Sequence, residues 1–399
     1  MYWLAEVLEY LNVPTPSVKV IQLAVSLLVI LVPLPVLVAF YFWARPRQAL
    51  VPPYRERVVV LGASSGTGKE IALQYAARGC RSIALVGRRG KLLEDVADEC
   101  RRLRKKGEEW QMSDQAPGWD DPNPEIKQDL IVIEADCSKP QDVIRIRERC
   151  LQDYKGLDTV HICFGLSALR PLLGIAGIDP IRKTGVAQLA GFQPQSVPSK
   201  KGTADFFEAD AQGLETVGES IRRINEVNVT ATGLVLTALI PMLQTTSPSP
   251  AIHLLSSMAA CLPAPTRSLY GASKAAQLLL FQTTGLEADS QTKASKDTSL
   301  RRNRIRFFAT LPGTILSDFR TSAVDGSPES SNAVDSTWTD GKKKGDGLAC
   351  AEVAEKSILA LDRFSEGVLE MPAKYYAARR VYPFLPGVIA KLAHKKYQY

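Results

Sequence analysis

Polar and apolar positions along this chain follow two rhythms. Short aliphatic or β-branched runs occur at Arg57–Leu61, Ser82–Val86, Leu130–Glu134, Thr159–Cys163, Ala251–Leu255, Ile305–Ala309 and Gly367–Glu370. Longer stretches with helical spacing lie between them, the first from Lys69 to Arg78. Runs of four to six apolar residues without in–out alternation suit strands covered on both faces. Strand–helix–strand repetition predicts an α/β domain over residues 55–372, a Rossmann-type doubly wound parallel sheet with helices on both sides. Three stretches break the rhythm. Residues 105–127 are polar and read as a surface insertion, and residues 169–219 are rich in Gly and Pro and only weakly periodic. Ser322–Asp346 is rich in Ser, Asp, Gly and Lys and is predicted to be mobile.

Before the domain, Val20–Trp43 contains no charged residue, enough for a helix to cross a bilayer. It is too long for the apolar core of a signal peptide, and no small-residue cleavage motif follows it. Pro33 and Pro35 would kink it. Tyr41, Phe42 and Trp43 form an aromatic edge, followed by Arg45, Arg47, Arg55 and Arg57, whereas residues 1–19 carry Glu6, Glu9 and Lys19. The excess of arginine after the span predicts that the domain faces the cytosol, with the endoplasmic reticulum the expected membrane. The segment 373–399 mixes aromatic, aliphatic and basic residues: Tyr375, Arg379, Arg380, Tyr382, Phe384, Lys391, Lys395 and Lys396 among them. It suits an interfacial membrane helix, and equally a helix packed on the domain or a homodimer contact.

Composition narrows the classes. The 399 residues are 45% hydrophobic and 23% charged, with 49 basic against 42 acidic side chains and a net charge of +7. No basic block is long enough to argue for nucleic acid. Seven cysteines are scattered without a C-x-x-C pair, and with three histidines no metal site is expected.

Two clusters carry chemistry. Gly62, Gly66 and Gly68 stand between the first strand and the first helix, with Ser64, Ser65 and Thr67 among them. Such a turn lets a pyrophosphate approach the backbone and the helix N-terminus. The second strand ends at Gly87-Arg88-Arg89, with no carboxylate to hold the ribose hydroxyls of NAD, and arginines there suit the 2′-phosphate of NADP(H). Tyr270 and Lys274 are spaced i, i+4, which puts them on one helix face. A phenol with an ordinary pKa near 10 is a poor base at neutral pH, and a neighbouring ammonium favours its ionised form. Ser257 lies at a strand end thirteen residues earlier.

From about Arg57 to Glu370 these motifs resemble the short-chain dehydrogenase/reductase family, and the membrane span and tail resemble its 11-beta-hydroxysteroid dehydrogenase-like members. The resemblance implies that Asn228, Ser257, Tyr270 and Lys274 are catalytic. It gives Gly62, Ser64, Ser65, Gly66, Thr67 and Gly68 to the pyrophosphate, and Arg88, seconded by Arg89, to the 2′-phosphate. Asp136 and Cys137 would meet the adenine, and Gly165 with Pro312, Gly313, Thr314 and Ile315 the nicotinamide end, together with Asn228, Tyr270 and Lys274. Tyr270 would exchange the proton, Ser257 polarise the substrate oxygen, Lys274 grip the ribose and Asn228 hold a water on the proton path. The substrate loop is expected near Ser317–Asp346. Two departures stand out: Leu61 replaces a usual threonine, and Ile162-Cys163-Phe164-Gly165 replaces the usual Asn-Asn-Ala-Gly. The expected function is hydride transfer between NADP(H) and a carbonyl or alcohol of a lipophilic molecule. The altered strand end keeps a second possibility open, a non-catalytic nucleotide-binding scaffold on a membrane. Asn228-Val-Thr230 is also a glycosylation sequon, discounted because it would lie in a cytosolic core.

Overall fold

The computed structural model describes residues 47–111, 129–177, 209–296, 298–325, 347–363 and 365–397. Residues 1–49 and 50–399 form two compact units; the first is described only at Arg47–Ala49, a single 3-10 turn. The membrane span expected at Val20–Trp43 lies outside the described residues, as do 112–127, 178–208 and 326–346 of the three irregular stretches.

In the second unit the chain runs β1 (Arg57–Leu61), α1 (Gly66–Ala77), β2 (Ser82–Gly87), α2 (Gly90–Gln111), β3 (Ile131–Glu134), α3 (Pro140–Tyr154) and β4 (Thr159–Ile162). A helical turn at Leu172–Ile175 precedes α4 (Ala211–Asn225), a π-turn at Glu226–Thr230, and α5 (Ala231–Thr246). Then come β5 (Ala251–Leu255), α6 (Ser268–Ala294), β6 (Arg306–Pro312), β7 (Ile315–Leu316), β8 (Leu348–Ala349), α7 (Cys350–Asp362), β9 (Gly367–Met371), α8 (Ala373–Val381) and α9 (Pro386–Tyr397). Seven strands form one parallel sheet in the order β3-β2-β1-β4-β5-β6-β9, and β7 and β8 make a separate parallel pair. This is the doubly wound Rossmann-type fold expected from the sequence. Its strand order reverses between β1 and β4, the switch point outside whose strand carboxyl ends folds of this kind bind their ligands.

Burial follows the pleat. Val58 and Val60 pack with Ile71, Tyr75, Leu93 and Ile358 on one face, whereas Val59 and Leu61 pack with Ile146, Leu239 and Phe281 on the other. The start of β1 is pinned by a buried fork, in which Arg57 Nε and Nη2 donate to Asp158 Oδ2 and Oδ1 at 2.8 and 2.9 Å. Such a pair fixes register more than it adds net stability, because both ions give up their water.

Two expectations need correction. Residues 105–111 continue α2 rather than leaving the fold, and the stretch 169–219 contains helix at Leu172–Ile175 and again from Ala211. The signal overlooked was a cap: Asp210 Oδ1 accepts the Gly213 backbone N–H at 2.7 Å, ahead of apolar positions Val217 and Ile224. The combined helix Ala211–Thr246 is long and apolar enough to cross a bilayer, yet half of its most apolar stretch is buried in the domain. It carries Asn228 and serves here as a core helix.

Candidate active site

The glycine turn is shaped for close approach. Gly62 has φ +90° and Gly66 φ +58°, values that side-chain-bearing residues adopt reluctantly. A Cβ on Gly62 would stand 2.7 Å from the Phe164 backbone nitrogen, and one on Gly68 would collide with the Gly62 carbonyl oxygen. Ser65, the extended residue before α1, makes no side-chain cap, so the first backbone N–H groups of α1 are left for an anion. Thr67 and Gly68 are buried within this first turn. Arg89 arches back to the same turn, donating from Nη2 to Ser64 Oγ at 2.8 Å and to Ser65 Oγ at 2.7 Å. Arg88 is exposed beside it, and its charge is felt at the buried Cys137 thiol, which burial pushes up to about 12. Asp136, past the end of β3, is held by its Ser138 contacts: its Oδ1 accepts the Ser138 N–H at 3.0 Å and the Ser138 hydroxyl at 2.8 Å. These residues fit a dinucleotide, since a glycine cradle, an uncapped helix start and a cation share one edge.

The catalytic candidates gather around Gly165. A Cβ at that position would lie 3.2 Å from Asn228 Oδ1, 3.3 Å from Lys274 Nζ and 3.7 Å from the Phe319 ring. Phe319 in turn packs against Tyr270, ring centroids 5.9 Å apart. Ser257 follows β5, and its Oγ accepts the Ala259 N–H at 3.2 Å, which leaves its own proton for a substrate oxygen. The start of α6 rests on this turn, because a Cβ on Gly271 would meet the Ala259 carbonyl oxygen at 3.1 Å.

Lys274 is buried, and desolvation holds its ammonium down to about 8. Its Nζ donates to Gln277 Oε1 at 2.8 Å and to the Leu255 carbonyl at 3.4 Å. Asn228 is bonded to the protein through both ends of its side-chain amide. Its Oδ1 accepts the Leu166 N–H at 2.8 Å, and its Nδ2 donates to the Leu166 carbonyl at 3.1 Å and to Ser273 Oγ at 2.9 Å. Both amide protons are thus spent on the protein, and the side chain braces the exit of β4. That brace also bears on the second departure, at this strand end: Cys163 N–H still reaches the Leu61 carbonyl at 2.8 Å, and Gly165 still opens onto Lys274.

Beyond β6, the Gly313 N–H bonds the Met371 carbonyl at 2.7 Å, and Thr314 O accepts the Leu348 N–H at 2.9 Å. Pro312, Gly313, Thr314 and Ile315 are therefore held between β9 and β8. Ser317 approaches Gly66, its Cβ 3.9 Å from where a Gly66 Cβ would stand. Two contributors were not foreseen. Asp325 accepts the backbone N–H groups of Leu169 and Arg170 at 2.9 and 2.7 Å, tying the expected substrate loop to the β4 exit. Gln277 is the other.

A sequence profile described as short chain dehydrogenase matches residues 208–327, the stretch holding Asn228, Ser257, Tyr270, Lys274 and Thr314. Over this stretch the chain is similar to the short-chain dehydrogenase family. It is 27% identical over 234 residues to 11-beta-hydroxysteroid dehydrogenase 1A of Arabidopsis thaliana, an alignment covering 59% of this chain. It spans about half, 48%, of that relative's length. Among solved structures, an alcohol dehydrogenase from the archaeon Thermococcus sibiricus, complexed with 5-hydroxy-NADP, matches with a TM-score of 0.51 at 18% identity, covering 79% of this chain and 95% of that one. A short-chain dehydrogenase/reductase from Burkholderia phymatum, in complex with NAD, matches with a TM-score of 0.56 at 15% identity, covering 84% and 94%. Identities this low speak for the shared fold alone.

Proposed function

We propose that the protein is an NADP(H)-dependent, membrane-attached oxidoreductase that interconverts a carbonyl and an alcohol on a lipophilic small molecule. The observation that carries this function is the convergence at Gly165. A buried ammonium, a carboxamide and an aromatic ring packed at a tilt against Tyr270 meet there. A bound nicotinamide dinucleotide supplies or accepts the hydride. Backbone N–H groups at the start of α1 would hold its pyrophosphate, and Arg89 with Arg88 its 2′-phosphate. In the reductive direction the Tyr270 hydroxyl gives its proton to the substrate oxygen while the Ser257 hydroxyl donates a hydrogen bond to that same atom. Lys274, charged and buried, favours the phenolate left behind and offers a remaining N–H to the ribose. In the oxidative direction Tyr270 takes the proton back.

An apolar substrate is favoured by the side chains flanking Tyr270. Leu166, Ala168, Ile175, Leu269 and Val324 form a small hydrophobic cluster that Tyr270 packs against. The expected span at Val20–Trp43 and the exposed apolar residues of the tail would hold the enzyme where such molecules partition, with its domain on the cytosolic side. Steroid, retinoid, sphingoid and fatty-acyl carbonyls fit this chemistry equally.

The test is NADPH oxidation with a panel of lipid ketones in detergent or nanodiscs. Tyr270→Phe should abolish turnover, by roughly 100-fold or more for loss of a general acid, while NADPH still binds. Tight NADPH binding with no turnover by the unmodified protein would instead point to a nucleotide-binding scaffold.

A further inference from the structure

We propose that Gln277 is a positioning residue for this reaction: its carboxamide locks the Lys274 ammonium beneath Gly165 and ties it, through Thr232, to the backbone of the Asn228 turn. This rests on the oxidoreductase function proposed above and deepens it.

Gln277 is completely buried, in a helix that otherwise turns Leu278 and Phe281 to the core. A buried carboxamide costs stability unless both of its ends are bonded, and here both are. Oε1 accepts from Lys274 Nζ at 2.8 Å and Nε2 donates to Thr232 Oγ1 at 2.8 Å. The Thr232 hydroxyl in turn donates to the Asn228 carbonyl at 2.9 Å. A hydroxyl has one proton. Because Thr232 gives it to Asn228, it can only accept from Gln277. That fixes the amide: nitrogen toward Thr232, oxygen toward the ammonium. Spacing i, i+3 on α6 puts the two side chains on one face.

The partner's chemistry matters. Among the described residues no carboxylate pairs with Lys274. Among the described residues the titratable group that acts on it electrostatically is the Cys163 thiol at the exit of β4. Burial alone drives this ammonium toward neutrality, and its other protein acceptor, the Leu255 carbonyl, lies at 3.4 Å. An amide oxygen holds the charge in place without cancelling it. A carboxylate there would pair with the ammonium and weaken its field at Tyr270; an apolar side chain would leave it loose. The amide carries no transferable proton, so the link from Lys274 to Asn228 is a fixed strut rather than a proton wire.

The experiment compares full-length protein with Gln277→Met, similar in length and apolar, and Gln277→Glu, similar in shape but anionic. The readouts are kcat and KM across pH and NADPH affinity by fluorescence across pH. Gln277→Met should lower kcat/KM roughly 10- to 100-fold, as small misplacements of reacting groups do. It should also move the alkaline limb of both profiles to lower pH, because the ammonium loses its acceptor. Gln277→Glu should move that limb the opposite way, to higher pH. Thr232→Val, which frees the amide nitrogen, should shift it in the same direction as Gln277→Met but less, and stands in if that variant does not fold. Limbs that stay in place in folded variants would overturn the assignment. Should the unmodified protein bind NADPH but turn nothing over, the oxidoreductase function fails, while the pH dependence of binding still decides the role of Gln277.

Discussion

Arg88 and Arg89 illustrate what single residues disclose before and after folding. From the sequence the pair reads as a 2′-phosphate clamp led by Arg88. In the structure it is Arg89 whose guanidinium reaches both serines of the glycine turn, at 2.8 and 2.7 Å, so its fork is aligned over the cradle. Arg88 stands beside Cys137. A guanidinium–phosphate pair is bidentate and worth roughly 1.5–3 kcal/mol. Arg89→Asp should therefore shift the ratio of NADPH to NADH affinity toward NADH by roughly 10- to 100-fold, with Arg88→Asp having the smaller effect. Titration of both dinucleotides decides it, and an unchanged ratio in Arg89→Asp refutes the assignment. The glycines, Tyr270 and Lys274 were legible because their spacing encodes their geometry. Gln277 was not, since a lone glutamine on a helix reads as solvent-facing until its neighbours are placed.

Among the elements, the strands were the readable part. All seven strands of the parallel sheet fall within a residue or two of the apolar runs, except that β6 runs on to Pro312, because a strand buried on both faces has to be apolar throughout. What periodicity conceals is the polar thread crossing that sheet. Tyr75 OH lies 3.0 Å from His161 Nε2, the two histidine Nδ1 atoms are 3.0 Å apart, and His253 Nε2 is 3.0 Å from Thr310 Oγ1. Thr310 and Ser357 meet at 2.8 Å, and the Ser357 hydroxyl donates to the Val353 carbonyl at 2.7 Å. With the serine proton spent, Thr310 must donate to Ser357 and accept from His253 Nε2–H. His253 Nδ1 then accepts from His161, whose Nε2 takes the tyrosine proton. The thread works only with both rings neutral. Burial holds His253 down to about 3 in the folded state, against roughly 6.5 when unfolded. Below pH 6.5 the unfolded chain binds a proton that the folded one refuses. The stabilisation is therefore complete above about 6.5 and is lost as pH falls toward 3, by up to about 1.4 kcal/mol per unit. Urea unfolding at a series of pH values should show this slope, and His253→Gln should flatten it. Equal slopes in the two proteins would mean that the histidine is not the source.

Across the whole molecule, the tail connects the surface to the site. The helix α8 is anchored on β9 by Arg379 Nη1 to Glu370 Oε1 at 2.7 Å, and its Tyr375 ring presses on Gly313 so closely that a Cβ there would collide with it. Further on, Phe384, Leu385, Val388 and Leu392 are exposed, Phe384 at 83%, with Arg379, Arg380, Lys391 and Lys395 nearby in sequence. An apolar and basic surface of this kind suits the headgroup region of an anionic bilayer. The tail thus packs on the domain through α8, one of the roles that its sequence left open, while α9 carries exposed apolar side chains. Lys396 links them: its Nζ donates to Tyr375 OH at 2.9 Å and to Thr314 Oγ1 at 3.3 Å, on the loop expected at the nicotinamide end. A partly exposed charged hydrogen bond contributes about 1 kcal/mol. Lys396→Met should therefore weaken dinucleotide binding about fivefold at this scale, with the melting temperature nearly unchanged because α8 keeps its own anchors. Fluorescence titration of NADPH checks it. A folded Lys396→Met protein with undiminished affinity would mean that the tail touches the loop without steering it, and that any effect of lipid on turnover reaches the site by another route.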